Sequence, residues 1–238
     1  MEINWESQVL SSVSKVIPKL SCLEIDIDKL HEVAAELSED SFSINYEGNT
    51  NTVPKEYIRK TMLINTLNFV FTDFLTSVKY KIENYSDTDA MVYQIDKALD
   101  QGIPLTQGRF MRDMNLKEFK TLFTGNIVMP MADEKVKILN NVGDILVTKY
   151  GGDWINFIDD GPKKLYDNGK GLVERLVRDF KRFDDHSIFE NEKVYFLKLA
   201  QLAFWGIHRE LSKRYFYIED MENMTAFADY IIPVALES

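Results

Sequence analysis

In the run Val194–Leu211 (VYFLKLAQLAFWGIHREL), Lys198, Gln201, Trp205 and His208 recur every three or four residues. A helix would align them on one side. Phe196, Ala200, Ala203, Ile207 and Leu211 would line another, and Leu199, Leu202 and Phe204 spread the apolar surface further. That is the pattern of a helix wrapped by its neighbours. A polar and aromatic stripe on such a helix has two readings. It faces a crevice, where a single cation is enough to hold a nucleotide-sized anion, or it is the half-exposed edge of a core helix beneath snorkelling side chains. Spacing leaves both open. A charged link follows, then Met224–Tyr230 (MTAFADY), in which Asp229 is the one acid among mostly apolar neighbours.

The chemistry signatures with fixed spacing are absent. No GxxxxGK[ST] phosphate loop, GxGxxG fingerprint, HExxH or GxSxG occurs. His31, His186 and His208 lack metal-like spacing, and Cys22 is the single cysteine, so neither a zinc cluster, another metal centre nor a disulfide framework is expected. No cofactor is expected either. Asp159-Asp160 and Asp184-Asp185 sit in polar surroundings and read as solvated charges. A formal net charge of −10, from 28 Lys plus Arg against 38 Asp plus Glu, argues against direct nucleic-acid binding. The acidic start MEINWESQ has no apolar core, and Lys198 and His208 interrupt the most apolar run. The expectation is a soluble cytoplasmic protein without a membrane partner. The 238 residues suffice for a sizeable core, as one large domain or two closely fused ones.

The elements that must position these groups read as helices. Apolar periodicity predicts helices over Trp5–Ile17, Lys29–Leu37, Pro54–Asn68, Ser86–Ala98, Asn115–Phe123 and Pro130–Tyr150, then a short one from Trp154, one over Leu172–Phe183, and Val194–Leu211. Asn115 with Glu118 has the capping-box spacing, and Gly151-Gly152 reads as a helix stop. Ser38–Pro54 reads as a loop with a short extended piece at Phe42–Tyr46. Asn68–Phe74 (NFVFTDF) fits no single helical face, and β-branched Val70 and Thr72 suit an extended bend. Lys79–Glu83 reads as a strand or a helix tail. About nine helices with little strand make the chain all-α, a multi-helix single domain over 1–238 with an N-terminal subregion at 1–54. Composition and periodicity stop there, at a helical enzyme or binding module.

Several segments, in order, resemble the queuosine salvage proteins, which act as queuosine 5′-phosphate N-glycosylases. They are Thr66–Phe71 (TLNFVF), Ala98–Thr106 (ALDQGIPLT), Met129–Leu146, Tyr150–Gly152, Lys198 with Ala200-Gln201, and Thr225–Tyr230 with Pro233. The resemblance implies a fold akin to helix-hairpin-helix DNA glycosylases and hydrolysis of the bond between ribose and a 7-deazaguanine base, releasing queuine for tRNA modification. Thr72-Asp73, Gly206 and His208 depart from the family pattern, and most members continue past the Ala-Asp-Tyr motif. These departures keep two alternatives in view: a non-catalytic nucleotide- or nucleoside-binding module, and a glycosylase acting on another nucleoside.

Under that resemblance, Asp229 takes the catalytic role. Breaking an N-glycosidic bond builds positive charge on the ribose, which an ionised carboxylate stabilises while orienting the attacking water. A base without N7 must be read by stacking and by its pyrimidine edge, for which Phe69, Phe71, Asn68 and Asp73 are the candidates. Lys198 is the candidate for the 5′-phosphate, with Arg109 beside it, and Gln201, Trp205 and Tyr230 complete the expected wall. The partner is a small-molecule nucleotide, and the oligomeric state is not legible.

Overall fold

The computed structural model describes residues 7–21, 24, 26–36 and 51–229, and is built mostly of helices. Trp5, the loop with Phe42–Tyr46, Tyr230 and Pro233 lie outside the described residues. In chain order the elements are α1 (Gln8–Val16), α2 (Ile27–Glu36), α3 (Pro54–Leu67), β1 (Lys81–Ile82), β2 (Tyr85–Ser86), α4 (Asp87–Asp100), α5 (Gly108–Asp113), α6 (Leu116–Leu122), α7 (Ala132–Lys149), α8 (Trp154–Asp159), α9 (Leu172–Asp179), β3 (His186–Phe189), β4 (Glu192–Tyr195) and α10 (Lys198–Leu211). No helix among the described residues is long and apolar enough to cross a membrane.

Local chemistry explains several of the helix ends. Pro54 occupies the first turn of α3, where its missing N–H costs nothing. The α6 capping box forms, with Asn115 Oδ1 accepting from the Glu118 N–H and Glu118 accepting from the Asn115 N–H. At the end of α7 the Gly152 N–H reaches back to Leu146 O, and Gly151 and Gly152 take φ of 60° and 86°. The same turn meets α5, because the Gly108 N–H donates to Gly152 O at 2.8 Å. A Cβ on Gly143 would lie 2.2 Å from the Arg112 nitrogen and 2.5 Å from Gly108 O, so the backbones of α5 and α7 touch.

Trp154, Phe157 and Phe180 form the densest aromatic knot, with centroid separations of 4.8 Å (Trp154–Phe180) and 5.6 Å (Phe157–Phe180). Each such fully buried ring contributes about 1.5–3 kcal/mol by leaving water, which fastens α8 to the end of α9.

Three expectations need correction. The chain is predominantly helical rather than all-α, since β1–β2 and β3–β4 form two small antiparallel hairpins. The segment from Leu172 is not one helix to Phe183. It breaks at Phe180 (φ −118°, ψ 99°) and resumes as a 3-10 turn at Lys181–Phe183. The segment from Val194 is not one helix either. Residues to Tyr195 belong to β4, and Leu197 (φ 51°) turns the chain into α10 at Lys198. Glu190 and Asn191, both at positive φ, make the tight turn of that hairpin. Between α3 and β1, the bend at Asn68–Val70 leads into a loop that doubles back, with Tyr80 N–H on Phe71 O at 2.7 Å.

Candidate active site

The stripe on α10 is a berth for the segment from Thr225 to Asp229. Gln201 is fully buried, accepting from the Thr225 N–H at 2.8 Å and donating to Phe196 O at 3.3 Å. Trp205 meets the Phe227 ring at 5.9 Å, 73° between planes. Lys198 Nζ donates to Asp229 Oδ2 at 2.7 Å, both groups half-buried. The fourth member of the stripe does something else. His208 Nδ1 accepts from the Ile218 N–H at 3.0 Å, and burial pushes the imidazole below its ordinary pKa, so this ring is a neutral structural acceptor.

Lys198 also lines a cavity of about 410 Å³ with Asn68, Phe69, Arg182, Asp184, Asp185, His186 and Leu199. Asp229 is therefore one ion pair away from the cavity lining. An opposite charge within hydrogen-bond distance favours the ionised carboxylate and fixes its direction. The cavity sits where the start of α10, the bend after α3 and the β3–β4 hairpin meet. The hairpin is closed at the end next to α10, where Asp185 O accepts from the Phe196 and Leu197 N–H groups.

On the far side, the bend is held by two cations. Lys135 on α7 is fully buried, and its ammonium donates to Phe69 O (2.6 Å), Val70 O (3.0 Å) and Pro130 O (3.0 Å). Arg182 donates to Thr66 O at 2.7 Å and Asn68 O at 3.4 Å. Both lie over the Phe69 ring, Lys135 at 4.0 Å and Arg182 at 4.6 Å from its centroid. Burial and the neighbouring Arg182 charge push the Lys135 ammonium down to about 7, against the raising pull of Glu134. Burial pushes Arg182 down to about 10, against the pull of Asp185. Val70 stands at φ 44°, a strained conformation for a β-branched residue, which persists only where its surroundings hold it.

The structure brings Asn68, Phe69, Lys198 and Asp229 together and sets other expected residues apart. Asn68 Oδ1 accepts from the Thr88 hydroxyl at 3.0 Å. Phe71 is buried in the core. Asp73 is half-buried and accepts from Leu75 N, Thr76 N and the Thr76 hydroxyl, which holds it below the usual carboxylate range as the cap of a surface turn. Arg109 borders a different hollow of about 620 Å³ with Gln107, Phe110 and Gly152, which shares no lining residue with the first. Gln201 and Trp205 support the carboxylate segment instead of lining the cavity, and Tyr230 lies outside the described residues. Asp184-Asp185 is not merely solvated. Both line the cavity, and Asp184 pairs with Lys193 at 3.3 Å and lies 3.2 Å from His186.

Sequence reasoning missed Lys135 and Arg182. A signal existed for Lys135, which falls three residues after Ala132 and four before Leu139, on the buried face of α7. None existed for Arg182, whose direction is set by the break at Phe180. Among the described residues, no group of three or more His, Cys, Asp or Glu side chains is placed to hold a metal ion.

Comparison with known proteins adds an independent line. A family model described as "Queuosine salvage protein" matches residues 45–238. A queuosine 5′-phosphate N-glycosylase/hydrolase of Mus musculus is 30% identical over 183 residues, 73% of this chain and 52% of that protein. Its namesake in Bos taurus is 26% identical over 210 residues, 84% and 60% of the two chains. That of Sphaerobacter thermophilus is 23% identical over 233 residues, 96% and 71%. The chain thus spans about half the length of the mouse relative.

Proposed function

The chain belongs to the queuosine salvage protein family, whose model covers residues 45–238, and on that premise we propose that it hydrolyses the N-glycosidic bond of queuosine 5′-phosphate or a related 7-deazaguanine nucleotide, releasing queuine for reuse in tRNA modification. Water supplies a hydroxyl to the anomeric carbon and a proton to the departing base nitrogen. The observation that carries this reading is the Lys198–Asp229 pair at 2.7 Å beside a cavity walled by Asn68, Phe69 and Arg182.

In this reading Asp229 faces the positive charge that develops on the ribose and orients the attacking water. Lys198 keeps that carboxylate ionised and aimed. An ammonium has three donors, so one on Asp229 leaves two for a phosphate oxygen. Asn68 and the Phe69 ring meet the base, Gln201 and Trp205 act through the segment that bears Asp229, and Tyr230, next in sequence, is proposed to bind the substrate. The cavity is of the size of small-ligand sites. We further propose a helix-hairpin-helix glycosylase-like architecture, a single domain over 1–238 with an N-terminal subregion at 1–54, and a cytoplasmic location. The net charge of −10 favours a free nucleotide over a nucleic-acid substrate.

Replacing Asp229 by Asn keeps the shape and removes the charge. We expect base release from queuosine 5′-phosphate to fall by about 10²- to 10⁴-fold, with the far-ultraviolet circular dichroism unchanged. Wild-type turnover in D229N would remove the mechanism.

A further inference from the structure

We propose that Lys135 is a positioning residue for this site: its side-chain nitrogen, seated on the carbonyls of Phe69, Val70 and Pro130, holds the bend that presents Asn68 and Phe69 to the cavity. The proposal rests on the reading of that cavity as the nucleotide site, and it assigns Lys135 no contact with the nucleotide.

Three observations carry it. First, no other lysine among the described residues is buried, and a lysine nitrogen is kept inside a protein only where fixed partners replace water. Here the partners are three carbonyls at 2.6, 3.0 and 3.0 Å and the Phe69 ring at 4.0 Å. Second, the segment it grips is strained, with Val70 at φ 44°. A strained bend relaxes unless its carbonyls are tied, and two of the three carbonyls tied are those of Phe69 and Val70 themselves. Third, the grip links separate parts of the fold. Lys135 and Pro130 belong to α7 and its approach, whereas Phe69 and Val70 follow α3. The Arg182 guanidinium holds Thr66 O and Asn68 O just upstream, so the two cations fasten consecutive parts of one turn.

The consequence is a division of labour. Asp229 acts on the sugar, while Lys135 sets where the base-facing residues stand. Loss of Lys135 should therefore weaken nucleotide binding more than it slows the bound complex. Lys135→Met keeps the length and apolar stem and removes the donors; Lys135→Gln keeps two donors and serves where the Met variant does not fold. The measurements are KM and kcat for release of the base from queuosine 5′-phosphate, together with hydrogen exchange read by mass spectrometry on the peptide covering residues 68–72. We expect KM to rise by about tenfold or more with kcat much less affected. We also expect faster exchange concentrated in that peptide, and partial rescue of both by Lys135→Arg. An unchanged KM, or exchange that quickens evenly through the core while KM stays put, overturns the proposal and leaves Lys135 a packing residue. A wild-type protein that neither binds nor cleaves the nucleotide sinks the functional reading instead, and does so before any variant is made.

Discussion

On one side of the cavity, α10 holds the segment from Thr225 to Asp229 largely through side chain to side chain pairs, with the Thr225 N–H also on Gln201, and Lys198 and Asp229 are half open to solvent. On the other, Lys135 and Arg182 hold the bend after α3 through its backbone carbonyls, with Lys135 fully buried. The two fastenings tolerate change differently. A side-chain pair is lost when either partner changes. The carbonyl part of this grip is indifferent to the side chains of the gripped residues, while the Phe69 ring adds its own contact with both cations. The carbonyl grip therefore suits recognition, and the side-chain grip suits a carboxylate whose charge must be kept and aimed.

The contrast can be broken from either side, and the burial predicts which break costs most. Lys135→Ala should destabilise the fold by about 2–5 kcal/mol, because it leaves a cavity and takes a donor from three carbonyls at once; urea denaturation measures this. Lys198→Met should leave stability within about 1 kcal/mol, as a half-exposed pair contributes little. It should nevertheless lower kcat/KM for base release by about 10²-fold, since it frees the carboxylate from its holder. Gln201→Leu should cost about 1–3 kcal/mol through the Thr225 N–H left without its acceptor, and limited proteolysis should then cut first near Thr225–Asp229. Asp73→Ala, in an exposed turn, should leave base release unchanged.

A pH series sharpens the same contrast. Lys135 sits at about 7 in the fold against an ordinary 10.5. Between those values the unfolded chain binds the proton that the folded chain sheds, so stability from this group rises with pH across the window, by up to about 1.4 kcal/mol per unit. It is fully present above 10.5 and lost as pH falls through 7. Comparing the denaturation of wild type and Lys135→Met at pH 7.5 and 9.5 isolates the effect, because the variant should lack that slope.

Much of the helical framework was legible. Periodicity and end signals located α3, α4, α6 and α7 to within a few residues, including the Asn115–Glu118 box and the Gly151-Gly152 stop. The stripe Lys198–Gln201–Trp205 was legible as special, and so was Asp229, though not that three of the stripe's members would hold the segment carrying that acid. What escaped has local causes. The β3–β4 hairpin turns on Glu190-Asn191 at positive φ, which a run of mixed polar residues does not announce. Its second strand runs into α10, so the apolar pattern of both reads as one helix. Arg182 was hidden by the break at Phe180, whose ring is drawn into the Trp154 knot by tertiary packing rather than by any helix-stop residue. Phe71 and Asp73 looked like ligand-facing neighbours of Phe69, but the chain doubles back after Val70. One goes to the core and the other caps a surface turn.

The touching backbones of α5 and α7 bear on the cavity from a distance. With a Gly143 Cβ position only 2.2 Å from the Arg112 nitrogen, α7 cannot roll about its axis or slide lengthwise without driving one main chain into another. Gly143 lies eight residues along from Lys135, roughly two turns of helix, so this contact acts as a keyway. It fixes the angular setting of the rod on which the buried ammonium is carried, and a methyl group added at Gly143 would be felt as a misaligned bend at the far end.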